Sequence, residues 1–129
     1  KPEWGTMTPK QMLIHLIQSS KMMHFGNSII LIKEKHIKQS IAFLYSDKEI
    51  KKGLVVPKDI GLNFDKDINQ DIEELKKELI NSINTMIVFL NKNINFKAIH
   101  PFFGELTAEQ WLLFQRKHFT HHLNQFGLL

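Results

Sequence analysis

Three of the chain's seven histidines stand within five positions near its C-terminal end, in "KHFTHHLNQF" at residues 117–126. Neutral imidazole is a nitrogen donor at pH 7, and two imidazoles at i and i+4 on a helix can converge on one divalent metal ion. His118 and His122 have that spacing. The competing reading is a polar bundle edge, with both rings hydrogen-bonded to carbonyls or water. Which face the rings occupy, and whether a third ligand comes from elsewhere, decides between the two.

On a helix turning about 100° per residue, with Trp111 at zero, Leu112, Phe119, Leu123 and Phe126 fall at roughly 60° to 120° and mark the apolar side. His118, near about 340°, and His122, near about 20°, straddle Trp111 and are flanked by Gln115 and Gln125. The pair is therefore expected to point inward along one edge of the apolar face, with His121 on the flank. Burying an imidazole without a partner is costly, so inward histidines carry information. His15 in "QMLIHL" lies near the apolar edge of an early helix, and His100 in "IHPFFG" precedes a proline where it can shape a turn. The open triads are His15/His118/His122 and His100/His118/His122, with His121 as a substitute in either. His24 and His36 have no motif around them. Gln115, Gln125, Ser19 and Gln11 are the polar residues placed by helical position to orient the rings.

The elements that must hold these residues announce themselves by their ends. "WGTMTPKQMLIH" and "FGELTAEQWLLF" each set an aromatic–Gly pair before a threonine with glutamine three positions later. Thr8 with Gln11, and Thr107 with Gln110, form capping boxes, Met7 and Leu106 staple onto Met12 and Trp111, and Pro9 suits a first helical position. Helices are predicted from about residue 8 to 24 and from about 107 to 125. Between them Ile68, Ile72, Leu75, Leu79, Ile83, Met86 and Leu90 form one apolar stripe, a long helix starting near Asp65 and fraying at residues 91–95. Residues 28–60 suit one or two shorter helices with Ile30, Ile37, Ile41 and Leu44 on one side. Residues 46–64, broken by Gly53, Pro57 and Gly61, read as a long connection able to cover the bundle end where a site opens. With no strand alternation or tight hairpin signal, the fold class is all-α, in a single domain over residues 1–129. Three long helices leave a bundle one member short, which points to a lost N-terminal helix or one supplied by a partner chain.

Bulk properties close off several classes. There is no cysteine, which excludes thiolate ligands, disulfides and a cysteine nucleophile. No apolar run is long enough for a membrane span, and the first ten residues lack a secretory leader's apolar stretch, so cytoplasmic residence is the default. Charge is uneven: residues 31–58 hold seven lysines against three acids, residues 59–95 four lysines against seven. Arg116 is the only arginine, so the arginine forks of specific nucleic-acid readers are missing and a solvated lysine-rich surface is the better reading.

Taken together, "W-G-x-M-T-x-x-Q-M-L-x-H-L" at residues 4–16, "H-P-x-F-G-x-L-T-x-E-x-W" at 100–111 and "K-H-x-x-H-H-x-x-Q-F-G" at 117–127 resemble the DinB-like superfamily, in a branch described as a domain of unknown function. The resemblance implies a four-helix bundle with one long crossover, often a homodimer, and here without the helix that ordinarily precedes the "WG" motif. It implies a divalent metal, zinc or nickel, held by one histidine of the "HL" helix and two of an H-x-x-x-H, which are His15, His118 and His122 in this chain. It also implies either metal-dependent hydrolysis or transfer of a low-molecular-weight thiol to a small-molecule electrophile, and no DNA binding. No carboxylate lies on the histidine edge of the last helix, which favours a reaction whose cofactor brings the nucleophile. The alternative is a non-catalytic, dimeric, stress-related binding module without metal.

Overall fold

In the computed structural model residues 1–24, 30–53 and 68–129 are described. Their elements are α1 (Pro9–Lys21), a 3₁₀ turn (Met22–His24), α2 (Glu34–Leu44), α3 (Ile72–Lys92), β1 (Lys97–His100), β2 (Gly104–Thr107) and α4 (Ala108–Gln125). Helices dominate, as the all-α expectation requires, and no described helix is long and apolar enough to cross a membrane.

Both capping boxes form. Thr8 Oγ1 accepts from Gln11 N at 3.1 Å while Gln11 Oε1 accepts from Thr8 N at 2.9 Å, and Thr107 and Gln110 repeat the exchange at 3.3 and 3.0 Å. These caps satisfy helix N–H groups that would otherwise lack partners. The side-chain oxygen of Gln11 is thereby committed to the start of α1.

α1 is buried nearly all round: Met12 to Ile17 are six consecutive buried residues, His15 among them. Its apolar side chains pack with Leu75 of α3, and with half-buried Ile72 and Leu79, into one cluster. A second cluster gathers Leu44, Met86, Leu90, Leu106, Ala108, Trp111 and Phe114 around the start of α4. Phe119 touches both, so α4 spans the two halves of the core.

The structure departs from the sequence expectations at four places. α3 starts at Ile72, not near Asp65, because Asp71 caps it, its carboxylate accepting from Glu73 N at 3.1 Å. Among residues 28–60 the described helix is α2 alone; Ile37, Ile41 and Leu44 face inward, but Ile30 lies ahead of it and is exposed. A two-stranded antiparallel hairpin precedes α4, pairing Lys97 with Thr107 and His100 with Gly104. Its strands are only four residues long, too short to show alternation, and its turn holds Pro101 and two phenylalanines. Gly104 closes the turn at φ +76°, a conformation glycine adopts freely. Lastly, α3 carries exposed isoleucines and a valine outside its inner stripe. Of the expected connection at 46–64, residues 54–64 lie outside the described residues.

Candidate metal centre

His15 comes from the middle of α1, His118 and His122 from successive turns of α4. Their ring centroids form a nearly equilateral triangle, 4.7 Å from His15 to His118, 4.6 Å from His15 to His122 and 4.8 Å from His118 to His122. The rings stand 76° to 87° to one another, each turning a nitrogen edge inward. The Nε2 atoms of His15 and His118 are 2.9 Å apart and those of His118 and His122 3.2 Å. Metal–nitrogen bonds of about 2.0–2.1 Å need neighbouring nitrogens about 2.9–3.4 Å apart, from right-angled to tetrahedral geometry. Both separations lie in that window.

The polar neighbours fix which nitrogen of each α4 ring carries its proton. Gln115 Nε2 donates to the Ser19 carbonyl at 2.8 Å, which orients the amide and turns Oε1 toward Ser19 Oγ. Ser19 spends its one hydroxyl hydrogen on that oxygen, at 3.2 Å, and accepts from His118 Nδ1–H at 2.9 Å. Gln125 repeats the arrangement: its Nε2 donates to the Trp4 carbonyl at 3.0 Å, and its Oε1 accepts from His122 Nδ1–H at 2.9 Å. Proton positions follow here from the heavy-atom network. Both Nε2 atoms then present bare lone pairs to one another. One proton on His15 Nε2 can serve one of them; a divalent cation inside the triangle serves all three nitrogens. The donor set therefore fits a metal ion.

Burial keeps the rings neutral. Desolvation first, then the neighbouring histidines, pushes His15 down to about 3 and His118 well below the ordinary 6.5. His122 falls to about 4 through desolvation, partly offset by its bond to Gln125. A neutral imidazole needs no proton expelled before it binds metal.

Trp4 and Gly5, which in the sequence mark a helix start and open the first of the three motifs, also serve this site. Glu3 N donates to the Gln125 carbonyl at 2.6 Å, laying the N-terminal strap across the end of α4. Gly5 sits at φ +77°, and a Cβ there would meet Gln125 Nε2 at 2.9 Å. The "WG" pair thus holds Gln125, which holds His122. Its signal was in the sequence, an aromatic–Gly pair just ahead of a cap, but nothing local said that it would meet a glutamine 121 positions on.

The other two candidate ligands lie elsewhere. His100 is buried, and its Nδ1 accepts from Phe102 N at 3.0 Å, so it shapes the hairpin turn as expected. Its ring packs on Phe103 and Phe114, and desolvation pushes it to about 3. His121 turns away from the triangle toward Trp4, with ring centroids 5.6 Å apart. It lines a cleft of about 840 Å³ with Trp4, Tyr45, Lys52 and Arg116. The three clustered histidines do not line that cleft; His121, 5.0 Å from the His122 ring, stands between. His15, His118 and His122 are, among the described residues, the group of donors close enough to share an ion, and no carboxylate belongs to it.

Residues 10–127 match the model of a family described as a protein of unknown function (DUF1569). Neither a curated protein nor a solved structure gives a significant match.

Proposed function

The chain belongs to this DUF1569 family, and since that description carries no activity we propose a function from the site: His15, His118 and His122 hold one divalent metal ion, zinc or nickel, in an enzyme of the DinB-like kind. The observation that carries this reading is the closeness of three imidazole nitrogens, His118 Nε2 lying 2.9 Å from His15 Nε2 and 3.2 Å from His122 Nε2. Neutral imidazoles suit zinc and nickel, and three of them leave at least one coordination position open. When bound, such an ion lowers the pKa of a water or thiol at that position.

The chain's own contribution is orientation and exclusion. Ser19 and Gln125 lock the two α4 rings with Nε2 forward, and Gln115 and the Trp4 carbonyl lock those two in turn. His15, Gln115 and His122 are buried, so bulk water meets the site from few directions. Among the described residues, no carboxylate joins the cluster to take a proton from water. A low-molecular-weight thiol ionises much closer to neutral pH than water does and gives its proton to solvent, so its transfer to a small electrophile leans less on such a base. That chemistry is therefore favoured over hydrolysis.

Cobalt(II)-loaded protein tests both steps. Adding a low-molecular-weight thiol is expected to produce a strong near-ultraviolet sulfur-to-cobalt charge-transfer band, absent from His118→Ala. Cobalt that binds stoichiometrically but gives no band with any thiol would overturn the thiol reading and leave the metal. Failure to bind cobalt would overturn the metal.

A further inference from the structure

The cleft beside the triangle has no role in holding the metal, yet it shares two residues with that site. Trp4 lines the cleft while its carbonyl holds Gln125, the partner of His122. His121 lines it too, bonded to the Ile50 carbonyl, with its ring 5.0 Å from that of His122. At about 840 Å³ the cleft is the size that encloses a small molecule.

Its charged groups are not satisfied by one another. Among the described residues the ion pairs are Lys21–Glu78, Lys76–Glu73 and Lys77–Glu74, all involving α3 and none in the cleft. Lys48, Lys52, Arg116 and Lys117 line the cleft together with Glu3, Asp47 and Glu49. Lys117 is committed to structure: its Nζ donates to the Ser46 carbonyl at 2.8 Å and also to that of Lys48, tying the segment after α2 to α4. Glu3 turns its carboxylate to the end of α4, Oε1 standing 3.1 Å from where a Cβ on Gly127 would lie. Lys48, Lys52 and Arg116 then outnumber Asp47 and Glu49.

The groups left over are suited to an anion with an organic body. Arg116 is the chain's only arginine; it is exposed and bonds to no described residue. Its planar fork of donors matches a carboxylate or phosphate through two parallel hydrogen bonds. Lys52 Nζ lies 4.5 Å over the Trp4 ring, a contact that places the charge and leaves its hydrogens for a ligand. Tyr45, held through its hydroxyl to Glu109 at 3.2 Å, still exposes 54% of its surface, so it and Trp4 offer flat apolar walls.

We propose that this cleft binds a small organic anion, its carboxylate or phosphate group gripped by Arg116 in the field of Lys48 and Lys52. The substrate of the adjoining centre is then anionic. That last step rests on the metal reading; the anion seat rests on the cleft alone.

Proton–nitrogen NMR spectra of the parent, kept metal-free by chelator, test the seat. The single arginine gives one side-chain Nε–H signal, and the two tryptophans give two indole signals, Trp4 at the cleft and Trp111 in the core. Inorganic phosphate and succinate are the probes, each replacing chloride at constant ionic strength. At least one is expected to shift the Arg116 and Trp4 signals to saturation while Trp111 stays in place. Which probe does so separates a phosphate-bearing from a carboxylate-bearing ligand. Arg116→Gln is expected to weaken that binding about tenfold or more, and Lys97→Gln, exposed on β1, to leave it unchanged. Shifts that saturate with neither probe, or binding that Arg116→Gln leaves intact, would overturn the seat. Because metal is excluded throughout, that failure is distinct from failure of the metal reading, which would leave these shifts as they are.

Discussion

Ser19 and Gln125 do for this site what the histidines alone cannot: they choose the nitrogen that each ring of α4 presents. Removing such an orienting partner typically weakens metal binding 10- to 100-fold, so Gln125→Leu is expected to lower affinity by about that factor in a chelator competition, with the fold retained. Unchanged affinity would mean that the hydrogen bond to His122 orients nothing. The same rings set a pH dependence. His15 and His100 lie near 3 and His122 near 4 in the folded chain, all below the ordinary 6.5. The unfolded chain therefore binds more protons through this interval, and stability that is whole above pH 6.5 is lost as pH falls toward 4 and 3. Each buried histidine contributes a slope of about 1.4 kcal/mol per pH unit within its window. Urea titrations of metal-free protein should show stability falling steeply between about pH 6.5 and pH 4.5; a flat profile would show that these rings are not buried neutral. Much of this scale was legible in advance. Angular position alone nominated Ser19, Gln115 and Gln125, which meet around the rings, and also Gln11, whose amide oxygen serves the Thr8 cap.

The two strongest elements, α1 and α4, were readable because their capping boxes are local chemistry, confined to four consecutive residues. Replacing Thr107 by alanine should cost about 1 kcal/mol, in the 0.5–2 range of such caps, and a thermal melt that does not move would deny the box its role. Which way α4 faces was harder. The apolar residues Leu112, Phe119, Leu123 and Phe126 appeared to mark the core side, yet in the structure all four are half-buried. The buried set is Trp111, Phe114, Gln115, His122 and Gln125, so polar residues run along the middle of the inward face. Hydropathy placed the core about 80–90° off, because it takes polar side chains for solvent-facing ones. Here they meet one another in the interior, as a built site requires. The hairpin escaped for the opposite reason: strands of four residues carry too little periodicity to read, and its turn was visible only as His100–Pro101.

At the scale of the molecule, the candidate centre joins residues far apart in sequence. His15 reaches His118 across 103 positions, and the N-terminal strap reaches Gln125 across 121. No local pattern encodes such meetings; the resemblance carried by the three motifs supplied the triad, and packing of α1 against α4 brings it together. The face of α3 shows the converse. Its inner stripe was plain, while the exposure of its outer isoleucines was not. The central claim is that the triangle of imidazoles holds a metal ion, and metal content by mass spectrometry tests it most directly. Protein purified without an affinity tag should carry about one equivalent of zinc or nickel, and the His118→Ala/His122→Ala double variant, still helical by circular dichroism, should carry none. A parent that remains metal-free after reconstitution, or a folded double variant that keeps its metal, would contradict the account.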